Sequence, residues 1–195
     1  MVKYKSVFLL IILLISIFLS ACGQNEIKDA RNWQIRDFTF TDQAGKSFGL
    51  SDLKGKIWVS DFVFTTCADV CLPMTKNMAT LQKMLKDEGI KDVELVSFSV
   101  DPVVDTPENL TLFAKHFKVD FSNWHFLTGY TQAEIEEFAK TDFKAVVIKP
   151  ENEDQVIHGT DFYLMDQNGK IMKYYDGMDE KNFKDMINDI KTLQK

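Results

Sequence analysis

Two periods of apolar residues run through the chain beyond residue 33. Phe38-Thr39-Phe40-Thr41 and Ser47-Phe48-Gly49-Leu50 flank the polar stretch Asp42-Gln43-Ala44-Gly45-Lys46, which predicts a hairpin turning at Gly45. Residues 57–65 and 93–100 are nearly unbroken apolar runs rich in aromatic and β-branched types, the pattern of strands covered on both faces. Between them Met74, Met78, Leu81 and Leu85 recur at helical spacing and Gly89 closes the run, predicting a helix over 72–88. Thr106-Pro107-Glu108 opens a second helix with a cap residue, a first-turn proline and an early acid, and Leu110, Phe113 and Phe117 continue its stripe. A strand at 124–127, a helix at 131–140 and a strand at 143–148 follow. Residues 162–165 and 171–175 then predict a hairpin around a two-residue Asn168-Gly169 turn, and a last helix runs from 179 to 193.

This order of elements predicts an α/β fold in which a mixed central sheet is sandwiched by helices. A thioredoxin-like layout fits it best, with the 38–50 hairpin as an N-terminal extension and residues 34–195 as one domain. At 195 residues the chain is long enough for a single sizeable core. Its 29 acidic residues outnumber 23 basic ones, for a net charge of −6 without a Lys/Arg cluster, so a nucleic-acid backbone would be repelled over most of the surface. A monomer is expected.

The first residues stand apart. Lys3 and Lys5 precede an apolar run from Val7 to Leu19, interrupted by Ser16, that ends in Leu19-Ser20-Ala21-Cys22. A positive start, a short apolar stretch and small residues at its end are the layout of a secretory signal, and the run is shorter than the roughly 20 apolar residues of a membrane-spanning helix. Leu-Ser-Ala-Cys is similar to the lipobox of bacterial lipoproteins. The expectation is therefore a signal peptide over 1–21, lipidation at Cys22, a tether over 22–33 and a folded part held at the outer face of the bacterial cytoplasmic membrane.

That placement leaves Cys67 and Cys71 as the free cysteines, facing a compartment where thiols can be oxidised. They lie where a buried strand gives way to a helix, at the edge of the sheet where binding and catalysis concentrate in α/β units. The positive helix end there favours a thiolate. A structural disulfide, a metal site and a redox pair are all open to such a pair, although so short a loop gains little from cross-linking. Among the histidines, His116 sits in a helical stretch and His125 in a strand, where packing or surface roles are expected. His158 stands in a loop before a strand, from which it can reach the cysteines. Two thiolates and one imidazole form a soft set that suits Cu(I) and can also hold Cu(II). Asp101 ends the neighbouring strand and is a candidate either to hydrogen-bond near the cysteines or to cap the turn at Pro102. Met74, Met78, Trp33 and Trp124 are read as core.

The stretch Phe64-Thr65-Thr66-Cys67-Ala68-Asp69-Val70-Cys71, the segments Ser99-Val100-Asp101-Pro102 and Asp105-Thr106-Pro107, the Leu127-Thr128-Gly129 turn, and His158 followed by Phe162-Tyr163-Leu164 and Asp166 to Gly169 together resemble the Sco/SenC family. The resemblance implies a thioredoxin-like fold, copper ligands at Cys67, Cys71 and His158, and a role in assembling the binuclear CuA centre of cytochrome c oxidase, whose CuA-bearing subunit would be the partner. One departure is visible: the commoner family pattern has proline directly after each cysteine, whereas Ala68 and Leu72 stand there in this chain and Pro73 follows. The rival expectation is a membrane-anchored thiol-disulfide oxidoreductase that reduces the cysteines of that subunit. Against it count the three residues between the cysteines and the lack of a proline beside Gly159-Thr160. A peroxide-reducing enzyme is the third and weakest reading.

Overall fold

The computed structural model describes residues 27–67 and 69–195. The expected signal peptide, the lipidation site Cys22 and the start of the tether lie outside the described residues. No helix among the described residues is long and apolar enough to cross a membrane.

The apolar runs become the centre of the sheet. β4 and β5 follow the short strands β1 (Trp33–Gln34), β2 (Thr39–Asp42) and β3 (Ser47–Gly49) and the one-turn helix α1 (Leu50–Leu53). Both β4 (Ile57–Val63) and β5 (Val93–Ser99) are buried at every position, and they pair in parallel from Ile57 opposite Val93 to Val63 opposite Ser99. β6 (Trp124–Thr128) adds a third parallel strand. The order across the eight-stranded sheet is β1, β10, β9, β4, β5, β6, β2, β3, with β9 (Asp161–Met165) and β10 (Lys170–Asp176) antiparallel beside β4. The predicted 38–50 hairpin is β2 and β3, placed at the far edge against β6.

Strand alternation splits the core in two, because successive side chains point to opposite faces. Ile57, Val59 and Val63 meet Met74, Met78, Leu81 and Leu85 of α2 (Cys71–Asp87), Leu110 of α3 (Pro107–Lys115), and Met186 and Ile190 of α5 (Asn182–Leu193). Trp58, Phe62 and Phe98 face the other way and form an aromatic cluster with α4 (Gln132–Phe138). The Phe98 ring lies 5.4 to 5.8 Å from those of Phe62, Phe138 and Phe143. Met74, Met78 and Trp124 are fully buried, as their spacing predicts, while Trp33 is half-buried in β1.

Three local expectations change. The strand predicted over 143–148 is confined to β7 (Val147–Ile148), because Ala139–Phe143 continues α4 as a π-helical turn and Lys144 takes a left-handed φ of 56°. Tertiary contacts decide this: Phe143 is held among aromatic rings, and the carboxylate of Asp142 accepts from the Arg36 backbone N–H and Nε, each at 2.6 Å. The 162–175 hairpin turns over Asp166–Gly169 and not over two residues. Asp166 Oδ1 accepts from the amides of Asn168 (2.9 Å) and Lys170 (2.8 Å), and Gly169 supplies a φ of 75°. Finally, the expected tether over 22–33 is partly built into the fold, since Ile27 is buried in the core and Trp33 pairs with Ile171.

Candidate metal centre

β4 delivers the cysteine loop to the carboxyl edge of the sheet. The loop is pinned at its base by Asp105, whose buried carboxylate accepts from Thr65 N–H (3.1 Å), Thr65 Oγ1 (2.5 Å) and Ser99 Oγ (2.6 Å). α2 begins at Cys71. Val70, the residue before it, provides no side-chain cap, and the Cys71 N–H instead donates to Cys67 Sγ at 3.3 Å. The sulfur of one cysteine thus caps the helix that the other opens, where the dipole favours negative charge. Pro73 fits the first turn because an N–H there has no intrahelical partner to lose. Leu72 and Pro73 fall in that first turn, directly after Cys71.

The third member arrives from another direction. β7 (Val147–Ile148) and β8 (Ile157–His158) form a separate two-stranded ribbon in which Val147 lies opposite His158. His158 Nε2 stands 3.2 Å from Cys71 Sγ, and its Nδ1 is 2.8 Å from the Gly159 carbonyl oxygen. A carbonyl can only accept, so Nδ1 carries a hydrogen and Nε2 is the ring nitrogen turned toward the sulfurs. The Phe64 ring meets the imidazole edge-on at 5.7 Å. Ligand atoms of Cys67, Cys71 and His158 all lie within 4.8 Å of one another. The cysteines are free thiols, Cys71 buried and Cys67 partly exposed. Two sulfurs and an imidazole nitrogen converging on one point match the donor set of a soft copper ion.

The two thiols are not equivalent. Burial pushes the Cys67 thiol up, but the His158 ring, the Cys71 side chain and the Asp69 and Cys71 backbone together outweigh it and leave the thiol at about 6. Cys71 goes the other way: burial and the neighbouring Cys67 raise it far above the usual range, and the Asp61 charge adds to the effect. Asp61 is the residue that sequence reasoning missed. It lies inside β4, fully buried, with neither carboxyl oxygen in a hydrogen bond, and burial pushes it up to about 7 despite the neighbouring Ser97 hydroxyl and the His158 ring. A lone acid inside the apolar run 57–65 was the signal available for it.

Asp101, a candidate to hydrogen-bond near the cysteines, spends its Oδ1 on Lys149 Nζ at 2.7 Å. Its main chain does shape the turn: the amides of Val104 (3.1 Å) and Asp105 (2.9 Å) both donate to the Asp101 carbonyl. His116 is exposed, with Nδ1 against the Leu112 carbonyl, and His125 stacks on Phe48 beside Glu94, so both take the packing and surface roles expected of them.

Comparison with known proteins converges on one group. A family model for SCO1/SenC matches residues 28–195. The SCO1 protein homolog of Bacillus subtilis (strain 168) is 51% identical over 179 residues, covering 92% of each chain. The solved structure of BsSco, described as having a disulfide switch and as a member of the Sco family of cytochrome c oxidase assembly proteins, superposes with a TM-score of 0.79. It is 50% identical and covers 86% of this chain and 97% of BsSco. Arabidopsis thaliana ScoI, solved with copper bound, is 28% identical with a TM-score of 0.67, covering 82% of this chain and 97% of that one. The mixed sheet flanked by helices is thus the thioredoxin-like fold of these relatives. Sequence, fold and the Cys67, Cys71, His158 cluster together place this chain in the SCO1/SenC family.

Proposed function

We propose that this chain takes one copper ion as cargo between Cys67, Cys71 and His158 and passes it to the CuA-bearing subunit of cytochrome c oxidase, working at the outer face of the cytoplasmic membrane through a lipid on Cys22. The observation that carries this reading is the 3.2 Å approach of His158 Nε2 to Cys71 Sγ, from a ribbon 87 positions away in the chain. A histidine whose Nδ1 is already engaged presents the nitrogen that a metal needs. Copper uses the reduced pair, because joining Cys67 and Cys71 in a disulfide removes two electrons, two protons and both thiolate ligands. Redox state therefore gates loading. Titrating reduced protein with Cu(II) should give one bound ion and a thiolate-to-copper absorption band. The ligand assignment fails if His158→Ala leaves both affinity and spectrum unaltered.

A second reading rests on the unequal thiols. The partly exposed Cys67, poised near pH 6, is a competent nucleophile, and the buried Cys71 is placed to resolve a mixed disulfide. Cys67 thiolate would attack an acceptor disulfide and release one acceptor thiolate. Cys71, losing its proton, would then displace the second, leaving the acceptor reduced by two electrons and this chain oxidised. Mixing reduced protein with the oxidised CuA subunit and counting the new subunit thiols tests it. Thiols appearing without copper transfer would favour the oxidoreductase.

A further inference from the structure

Two carboxylates in one short turn grip the two halves of the site. Asp105 holds Thr65, two residues before Cys67, through the backbone and hydroxyl hydrogen bonds already described. Asp101, four residues earlier and 1% exposed, pairs with Lys149 Nζ at 2.7 Å. Lys149 directly follows β7, the strand that lies against His158, and its backbone N–H donates to Glu136 Oε1 of α4 at 2.9 Å. Two residues in each strand of the ribbon give it little strength of its own, and Val146, Ile148 and Ile157 are more than half or half exposed. Something outside the ribbon must keep the imidazole within reach of the sulfurs.

We propose that the Asp101–Lys149 ion pair, buried at its carboxylate end, is the latch that keeps the His158 ribbon in register with the cysteine loop, making Asp101 and Lys149 positioning residues for metal capture. The turn over 101–105 then acts as a common bracket, with Asp105 on the thiol side and Asp101 on the imidazole side. With the carboxylate 1% and the lysine side chain 25% exposed, the pair is screened less than one on the open surface, which suits it to fixing one geometry. The metal half of the inference rests on the copper reading above, whereas the latch itself can be followed without metal.

The test compares full-length protein with Lys149→Met, Lys149→Arg and the double variant Asp101→Asn/Lys149→Met, by amide hydrogen exchange without metal and by copper affinity in competition with a chelator. In Lys149→Met the amides of 147–158 should exchange about tenfold faster or more while those of β4 and β5 hold. Copper affinity should fall roughly 10- to 100-fold, the usual effect of losing a group that orients a ligand. Lys149→Arg should restore both. The double variant removes the stranded charge, so it should fold even if Lys149→Met does not, and it should keep the loose ribbon and the weak affinity. Wild-type affinity with unaltered ribbon exchange in Lys149→Met, exchange rising equally across the whole protein, or tight binding regained in the double variant would each overturn the latch. Should wild-type protein itself fail to bind copper, the functional reading falls, and exchange over 147–158 alone decides the latch.

Discussion

The sulfur side and the nitrogen side of the centre are built to opposite standards. Cys67 and Cys71 hang from a seven-residue strand that is buried at every position and bonded on both edges, and Cys71 opens a 17-residue helix packed on the core. His158 comes from a ribbon of two residues in each strand, with Ile148 50% and Ile157 57% exposed. Elements with few buried contacts open locally at low cost, whereas core strands open only with the whole domain. The contrast suits the proposed delivery of a cargo ion: two ligands hang from core elements, and the third rests on the element expected to open most readily.

Removing a sulfur should have the largest effect. Cys71→Ser should abolish the thiolate-to-copper band, whereas His158→Ala should weaken binding and shift the band, since both thiolates stay fixed. Equal losses in the two variants would erase the distinction between platform and arm. Next comes Asp105→Ala, which strands the Thr65 and Ser99 donors and should cost about 3 kcal/mol in urea unfolding. Asp61→Asn should act in the opposite direction. A buried acid raised from 3.8 to about 7 holds its proton more tightly in the folded state, so the stability it contributes is full below pH 4 and lost as pH rises through 7. The variant should therefore match wild type near pH 4 and exceed it by about 4 kcal/mol at pH 8. For Cys67 the sign is reversed. Its lowered pKa contributes stability above the free-thiol value, lost as pH falls through about 6, and alkylation of the wild-type protein should show a midpoint near 6 that vanishes in Cys67→Ser. The smallest effect belongs to the arm's surface: Ile157→Ser should change unfolding stability by no more than about 0.5 kcal/mol. A larger loss would mean the ribbon is better anchored than its exposure implies.

Much of this was legible in the order of residues, for identifiable reasons. A strand covered on both faces announces itself as an unbroken apolar run, so β4 and β5 were visible, and the helix between them followed from its 3.6-residue stripe. Cys67 and Cys71 stood at the junction such a unit must place at the sheet edge. The 143–148 segment misled because its propensity is that of a strand, while Arg36 and the aromatic cluster, distant in sequence, hold residues 139–143 in a π-helical turn. Asp101 was visible as a turn former, but its ion pair with Lys149 was not, since nothing local links positions 48 apart.

What the sequence determined by itself is what depends on neighbours along the chain: the period of each element, the helix entrance at the cysteines, and the donor types that make a soft site. His158 was already singled out among the histidines by its loop position and the family resemblance, whereas the tertiary structure decided how closely it meets Cys71, that a buried unpaired Asp61 lies close enough to influence both Cys71 and His158, and that the two thiols titrate in opposite directions. Those outcomes depend on distance and on exclusion of water, and both come into being only when β4, the 101–105 turn and the His158 ribbon are brought together.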